Sequence, residues 1–564
     1  MTYNPQNPLI IQSDMTMLLE VDSPLYEAVR DALAPFAEIV KSPEHIHTYR
    51  VTPISLWNAA SSGVGPEAVR KTLLAYSRYE VPHNLLVEVG DLMGRFGKVR
   101  LEDHGDSGLA LVCDEPILME QLWHTDSIRE LLLERSDQRT ALFSTINRGL
   151  VKQALIKTGF PAIDAAGYAV GLPLPVTLAT DAGFGLRPYQ IMARDAFYKG
   201  GTATGGNGVV VLPCGAGKTV VGMAVMDLTK THTLILTTGI TAVRQWKREL
   251  LEKTSLNTDD IGEYSGEVKE LRPVTITTYQ ILTHRKSREE EFLHFKAIND
   301  HQWGLLIYDE VHLLPAQIFR FTASLQAVRR LGLTATLVRE DGREEDVFSL
   351  IGPKCYDVPW KAIEKQGFIA EAFCHEVRVE ISRESRMEYA SADKRNRFRV
   401  AAENPAKMPV IRRIMERHKD DRVLIIGQFL AQLHVIAQDT GVPLITGKTP
   451  QAEREDLYRR FREGSLSVLI VSSVANFAID LPDASVAIQV SGKFGSRQEE
   501  AQRLGRILRP KADGRGATFY TLVTRDTEEQ DFALRRQLFL TEQGYAYEIL
   551  DEDEIQGPLS LEDH

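Results

Sequence analysis

The stretch Val209-Val-Val-Leu-Pro-Cys-Gly-Ala-Gly-Lys-Thr219 constrains the fold of this chain more than any other. It begins as a continuous apolar, β-branched run, the pattern of a strand buried on both faces. It then turns through Gly215 and Gly217 into Val220, Val221, Met223, Ala224 and Val225, which reads as a helix. A glycine-rich turn between strand and helix aims several backbone N–H groups, and the positive end of the helix dipole, at one spot. Lys218 adds a fixed charge there and Thr219 a hydroxyl suited to Mg²⁺. Residues Pro213, Cys214, Gly215, Ala216, Gly217, Lys218 and Thr219 are therefore expected to cradle the phosphates of a nucleotide. The pattern G-x-x-x-x-G-K-[ST] is met except at its first position, which is Leu212.

A chain of 564 residues should hold several domains, since single cores stop growing near ~250–300 residues. At 43% apolar and 25% charged residues it has the composition of a folded soluble protein. No apolar run approaches the ~20 residues of a membrane span, and the N-terminus lacks the layout of a secretory signal. Cys113, Cys214, Cys355 and Cys374 are scattered, without a C-x-x-C pair, which fits a reducing, cytoplasmic setting. The net charge of −11 is not that of a wholly basic nucleic-acid binder, but a motor can carry a local basic track on an acidic body.

Residues 1–100 read as a compact α/β unit. Leu9–Ile11 and Met17–Leu19 are strand-like, and Ser23-Pro24 starts a helix whose face runs Leu25, Val29, Leu33, Phe36 and Val40. Another helix is expected from Pro66 through Tyr76. His45 and His47 flank Ile46 on a strand and, without carboxylate or cysteine company, are assigned to structure rather than metal. Residues 101–180 suggest a second small unit, with a strand at Leu109–Cys113, a helical pattern around Ile128–Leu133 and a linker over 167–175. The acidic end at Asp551–Glu554 and Glu562-Asp563 is a solvated tail.

From Leu186 strands and helices alternate, the pattern of a doubly wound parallel sheet. Strands are expected at Thr233–Leu236, Val274–Thr278 and Leu305–Tyr308, the last ending in Asp309-Glu-Val-His312. A carboxylate at the end of such a strand beside a phosphate loop is where nucleotide-bound Mg²⁺ would be held, giving Asp309 with Thr219 as its ligands. Glu310 is placed to orient and deprotonate an attacking water. Alone, the Asp-Glu pair reads equally as a helix cap. Thr334 and Thr336 flank Ala335 and offer two hydroxyls to link the nucleotide site to a second partner. A second alternating block starts near Gly367, with strands at Val423–Ile426, Leu444–Ile445, Ser467–Val471 and Val486–Val490. It ends in a segment where Gln502, Arg506 and Arg509 share one helical face, suited either to stabilising charge on a γ-phosphate or to plain solvation.

Taken together these motifs resemble the XPB family of superfamily-two DNA repair helicases. The resemblance rests on Leu186-Arg-Pro-Tyr-Gln190, the phosphate loop, Asp309-Glu-Val-His312, and Leu333-Thr-Ala-Thr-Leu-Val-Arg-Glu-Asp341. Ser496–Arg509, Asp526-Thr-Glu-Glu, Gln543-Gly-Tyr545, Ser23-Pro-Leu-Tyr26 and His45-Ile-His-Thr-Tyr49 extend it over nearly the whole chain. It implies an α/β chain with two tandem RecA-like parallel-sheet domains behind a smaller α/β N-terminal region. The boundaries expected are 1–100 for the family's N-terminal domain and 101–180 for an accessory, damage-recognition-like region with linker. Residues 181–366 would then form the ATP-binding helicase domain and 367–564 the second, with a short thumb-like element near 383–407.

The resemblance further implies ATP and Mg²⁺ as cofactors and 3′→5′ motion on DNA, with unwinding of single-strand/duplex junctions in repair. Arg187 and Gln190 would sit on the adenine side, Arg506 and Arg509 with Gln502 would reach the γ-phosphate, and Thr334 and Thr336 would couple hydrolysis to DNA grip. Arg339, Glu340 and Asp341 would act at the DNA, a segment that reads by itself as a surface turn. Lys394-Arg-Asn-Arg397-Phe398-Arg399 would be the thumb's remnant, its basic side chains meeting phosphates and Phe398 stacking on a base, or else a solvated helix face. Ala475-Asn476 departs from the family's usual Gly-Asp, while Asp480-Leu-Pro482 is retained. A monomer in the cytoplasm, associated with the nucleoid, is expected, and so is a possible nuclease partner. The rival readings are a double-strand translocase that does not separate strands, a DNA-bound scaffold loading a nuclease, and an RNA helicase.

Overall fold

The computed structural model describes residues 3–41, 45–105, 108–144, 147–165, 171–179, 184–201, 205–213, 215–282, 293–314, 325, 327–335, 344–358, 360–368, 370–472, 484–492, 516–542, 545 and 547–555. Two compact units divide the chain, one holding most of it up to Val358 and the other most of it from Pro359 onward.

The first unit opens with β1 (Leu9–Ile11), β2 (Thr16–Glu20), β3 (Glu38–Lys41) and β4 (Ile46–Arg50), ordered β1-β2-β4-β3. Alternation along β2 turns Met17 and Leu19 inward, where they meet Val29, Leu33, Leu56, Leu73 and Val89 from the helices laid over the sheet. The first of these helices, Tyr26–Leu33, is shorter than its apolar spacing predicts. Pro35 has no N–H to continue the ladder, and Val40 falls in β3 instead of on the helix.

A second sheet follows: β5 (Val99–Asp103), β6 (Leu109–Cys113), β7 (Leu132–Arg135), β8 (Thr140–Phe143) and β9 (Ala162–Asp164), ordered β7-β8-β6-β5-β9. The helix expected around Ile128–Leu133 is reduced to Asp126–Arg129, because Leu132 pairs with Phe143 across β7 and β8. Here cross-strand packing overrides local spacing. The segment expected as a linker is bonded backbone to backbone where it is described: Leu172 N–H donates to the Gln302 carbonyl and Leu174 N–H to that of Lys230. Gly171 runs so close to Gly304 that a Cβ there would lie 2.0 Å from its nitrogen.

The third sheet carries the phosphate loop. Its strands are β10 (Asn207–Val211), β11 (Thr233–Thr237), β12 (Ile261–Tyr264), β13 (Val274–Thr278), β14 (Leu305–Asp309), β15 (Arg329–Thr334) and β16 (Lys354–Asp357). All are parallel, in the order β12-β13-β11-β14-β15-β10-β16. Val209, Val210, Leu234, Ile235, Leu306 and Ile307 are fully buried, each contributing on the order of 1.5–3 kcal/mol. The two N-terminal sheets dock at one edge of this sheet through Trp57, Ile156 and Phe348. Asn58 accepts the Lys354 N–H at 2.9 Å and Gln153 donates to Asp346 at 2.7 Å beside that cluster.

The second unit is built on β17 (Ala372–Val379), β18 (Val423–Gly427), β19 (Leu444–Ile445), β20 (Val468–Ser472), β21 (Val486–Gln489), β22 (Ala517–Thr524) and β23 (Tyr547–Asp551). Again all are parallel, ordered β19-β20-β18-β21-β22-β17-β23. The two parallel sheets are RecA-like, as expected. One expectation fails here. Phe398 lies in the Lys394–Ala402 helix but is 1% exposed, packed edge-on against Phe532 and tilted on Phe429. It is a core residue and no base can stack on it.

Candidate active site

Parallel pairing decides which chain segments meet. In the order β14-β15-β10, the register sets Val211 opposite Thr334 and Asp309 opposite Leu333. The phosphate loop, Thr334 and Asp309 therefore share the carboxyl edge of three adjacent strands, where ligands of such sheets bind.

Gly215 and Gly217 both have φ near +80°, the left-handed region that a side chain resists. The helix Lys218–Thr229 starts directly after, with Lys218 and Thr219 in its first turn. Gly217 has a second constraint: a Cβ there would lie 2.6 Å from Nε2 of Gln190. Gln190 belongs to the Pro188–Tyr198 helix, is 3% exposed, and accepts the Arg187 backbone N–H at 2.9 Å through Oε1. Arg187 in turn donates to the Tyr189 hydroxyl at 3.0 Å. Gln190 thus buttresses the phosphate turn as well as capping its own helix.

Glu310 is the only non-glycine residue within the Asp309–His312 motif with positive φ, at 51°. A glutamate held in that region marks a position the surroundings enforce. Its Oε1 lies 3.2 Å from Lys218 Nζ, and its Oε2 lies 3.5 Å from His312 Nδ1. His312 Nδ1 also lies 2.6 Å from Thr334 Oγ1. A continuous chain of polar contacts therefore runs Lys218–Glu310–His312–Thr334. Burial pushes the Glu310 carboxyl up, but Lys218, His312 and the Ala335 N–H outweigh it and hold it below its ordinary value.

Asp309 behaves in the opposite sense. Burial, then the Glu310 charge beside it, raise its carboxyl to about 6, against the opposing pull of Trp246 and Lys218. Trp246 Nε1 donates to Asp309 Oδ2 at 2.9 Å, and the Tyr279 hydroxyl donates to the Asp309 backbone carbonyl at 2.8 Å. Burial keeps the Tyr279 hydroxyl protonated. The Asp309 carboxylate, at the end of β14, and the Thr219 hydroxyl, in the first turn of the phosphate-loop helix, are hard oxygen donors of the kind Mg²⁺ prefers. Among the described residues no cluster of three or more His, Cys, Asp or Glu would bind a metal by protein groups alone. Two oxygen donors, from Asp309 and Thr219, would suit an ion that takes its remaining ligands from substrate phosphates and water.

Sequence reasoning named Lys218, Thr219, Asp309, Glu310 and Thr334, and the structure brings them to one edge. It missed the contributions of His312, Trp246 and Tyr279. The motif Asp309–His312 was a signal for the first; no spacing marks the other two. Cys214, Thr336, Arg339, Glu340, Asp341, Ala475-Asn476, Asp480–Pro482, Gln502, Arg506 and Arg509 lie outside the described residues.

Residues 363–559 match the family profile described as the ERCC3/RAD25/XPB C-terminal helicase, and residues 183–339 one described as the type III restriction enzyme, res subunit. Residues 9–137 match a helicase conserved C-terminal domain profile. The chain is 53% identical to the DNA 3'-5' helicase XPB of Mycobacterium tuberculosis, over 98% of this chain and 99% of that one. It is also 53% identical to the protein of the same name from Kineococcus radiotolerans, over 98% and 97%. A third relative, at 30% identity over 96% of this chain and 72% of its own length, is the Saccharomyces cerevisiae general transcription and DNA repair factor IIH helicase/translocase subunit XPB/SSL2.

Proposed function

The chain belongs to the XPB family, and from that premise we propose that it is a DNA 3′→5′ helicase that hydrolyses ATP to move along and open DNA in repair. The observation that carries this reading is the continuous contact from Lys218 through Glu310 and His312 to Thr334, beside the Asp309 carboxylate. A triphosphate seated on the Gly217 turn competes with Glu310 for Lys218. Once Lys218 turns to the phosphates, Glu310 is released to take the proton of an attacking water. Thr219 and Asp309 would hold Mg²⁺, which when bound would offset phosphate charge. His312 reports the Glu310 position to Thr334, and Thr336 with Arg339, Glu340 and Asp341 carries it to DNA. On this reading Gln502, Arg506 and Arg509 would act on the γ-phosphate, as the family resemblance implies.

On this reading residues 1–100 are the family's N-terminal domain, 101–180 an accessory region, and 181–366 and 367–564 the two motor domains. Among the described residues no helix is long and apolar enough to cross a membrane. We place the protein in the cytoplasm on nucleoid DNA, as a monomer, with any strand cutting supplied by a partner nuclease. The second reading, a translocase on duplex DNA, is favoured by the helicase/translocase name of the yeast relative.

Release of a labelled strand from 3′-tailed and 5′-tailed duplexes under ATP separates the two. Release from the 3′-tailed substrate alone is expected, and none with Lys218→Ala, which should retain its fold. ATP turnover without release of either strand would move the assignment to translocase, and turnover by Lys218→Ala would remove the site.

A further inference from the structure

We propose that Trp246 is a positioning residue for the metal-holding carboxylate, fixing one oxygen of Asp309 so that the other faces the cation site. The proposal rests on the reading of Asp309 as that carboxylate, and it concerns a residue outside every motif quoted above. Trp246 lies on the inward face of the Ile240–Lys253 helix with Val243 and Leu250, and is 1% exposed. A buried indole N–H must find an acceptor, and most acceptors in a core are backbone carbonyls. This one donates to the Oδ2 of Asp309 at 2.9 Å, a hydrogen bond to a charged group.

The ring itself has little freedom. Gly222, in the helix that starts at Lys218, leaves room for the indole edge: a Cβ there would lie 2.7 Å from Cη2 of Trp246 and 3.5 Å from the Ile307 side chain. The indole is therefore set between the phosphate-loop helix, which carries Thr219, and β14, which ends at Asp309. Tyr279 holds the Asp309 backbone from another side. With backbone and Oδ2 both held, the remaining oxygen Oδ1 has a set direction, and a set direction is what a small, geometrically demanding ion requires. A tryptophan needed only to fill volume would not require its N–H at Asp309.

The test compares wild type, Trp246→Phe and Gly222→Ala. Trp246→Phe keeps an aromatic ring and removes the donor. Gly222→Ala keeps the donor and displaces the ring. Binding of a fluorescent ADP analogue is titrated with Mg²⁺ and, separately, in EDTA, and steady-state ATPase is measured across Mg²⁺ concentration. Both variants should need about tenfold more Mg²⁺ for half-maximal binding and turnover, the size of one lost hydrogen bond to a charged group. Affinity in EDTA should stay at the wild-type value. An unchanged Mg²⁺ requirement in Trp246→Phe overturns the proposal, as does an equal loss of affinity with and without Mg²⁺, which is what simple core damage would give. If wild type binds the analogue no better with Mg²⁺ than in EDTA, the cation-site reading falls first and the role of Trp246 with it.

Discussion

At the scale of single residues, environment rather than identity sets what a side chain does. Asp309 and Glu310 are neighbours in sequence with the same charge, yet their carboxyls move in opposite directions. Lys218 and His312 stand beside one, and burial with a like charge dominates the other. His47 makes the same point far from the site. The spacing shared with His45 offers no distinction between them, but His47 is buried with its Nδ1 2.9 Å from the Tyr26 hydroxyl, whereas His45 is exposed beside Asp22. Burial, assisted by Arg30, lowers the His47 pKa to about 4. The unfolded chain binds that proton near its ordinary value of 6.5 and the folded chain does not. Stability from this group is therefore complete above pH ~6.5 and declines as pH falls from there toward 4, by up to about 3 kcal/mol. Urea unfolding followed from pH 7 to 4 should show a shallower decline in His47→Gln than in wild type. Equal slopes would mean that the histidine is protonated in the folded chain.

At the scale of elements, junctions are made by a few polar contacts set into apolar packing. In the second unit Lys407 opens the helix Lys407–Arg417 and is 1% exposed. Its Nζ lies 2.9 Å from both oxygens of Glu529 and donates to the Val490 carbonyl at 3.0 Å. Glu529 also accepts the Thr524 N–H at 2.9 Å, so the pair links that helix to β22 and to the end of β21. Such a pair is little better than two well-packed apolar groups, but removing one partner strands the other. Lys407→Met should cost about 3–5 kcal/mol, and adding Glu529→Leu should recover much of it. Chemical denaturation of both variants measures this, and a double variant less stable than the single one would contradict it. In the first unit the seam of Trp57, Ile156 and Phe348 brings the accessory sheet against the Glu344–Leu350 helix, which begins three residues after Asp341. The proposed DNA-facing segment is thereby followed by an anchored element.

At the scale of the whole molecule, two parallel sheets appear in tandem, but of the two β10 alone runs into a phosphate loop. That asymmetry is the reason to assign the phosphate cradle to the first of these two sheets. If Arg339, Glu340 and Asp341 transmit hydrolysis to DNA, replacing all three by Ala should lower unwinding by an order of magnitude or more while leaving DNA-free ATPase within about twofold. Equal losses in the two assays would count against a coupling role and place the segment in the hydrolysis step itself.

Much of this was readable along the chain. Buried parallel strands appear as largely apolar runs, and β10, β11, β14, β18 and β21 were found that way within a residue or two. The phosphate loop and Asp309–His312 were visible because glycines, a lysine and carboxylates at fixed offsets have few other uses. The helix that stopped at Leu33 and the strand at Leu132–Arg135 were misread, because a proline and a cross-strand partner decided what local spacing left open. Phe398 was misread for the same kind of reason: a basic run looks solvent-facing until two distant phenylalanines are found against it. Residue types and their offsets therefore determined the chemistry this chain offers, since each motif is local. Only the tertiary structure decided that Trp246, 63 positions from Asp309, holds its carboxylate, and that Gln190 supports the loop at Gly217. Contacts of that kind arise from the order in which strands assemble, and no periodicity along the chain records it.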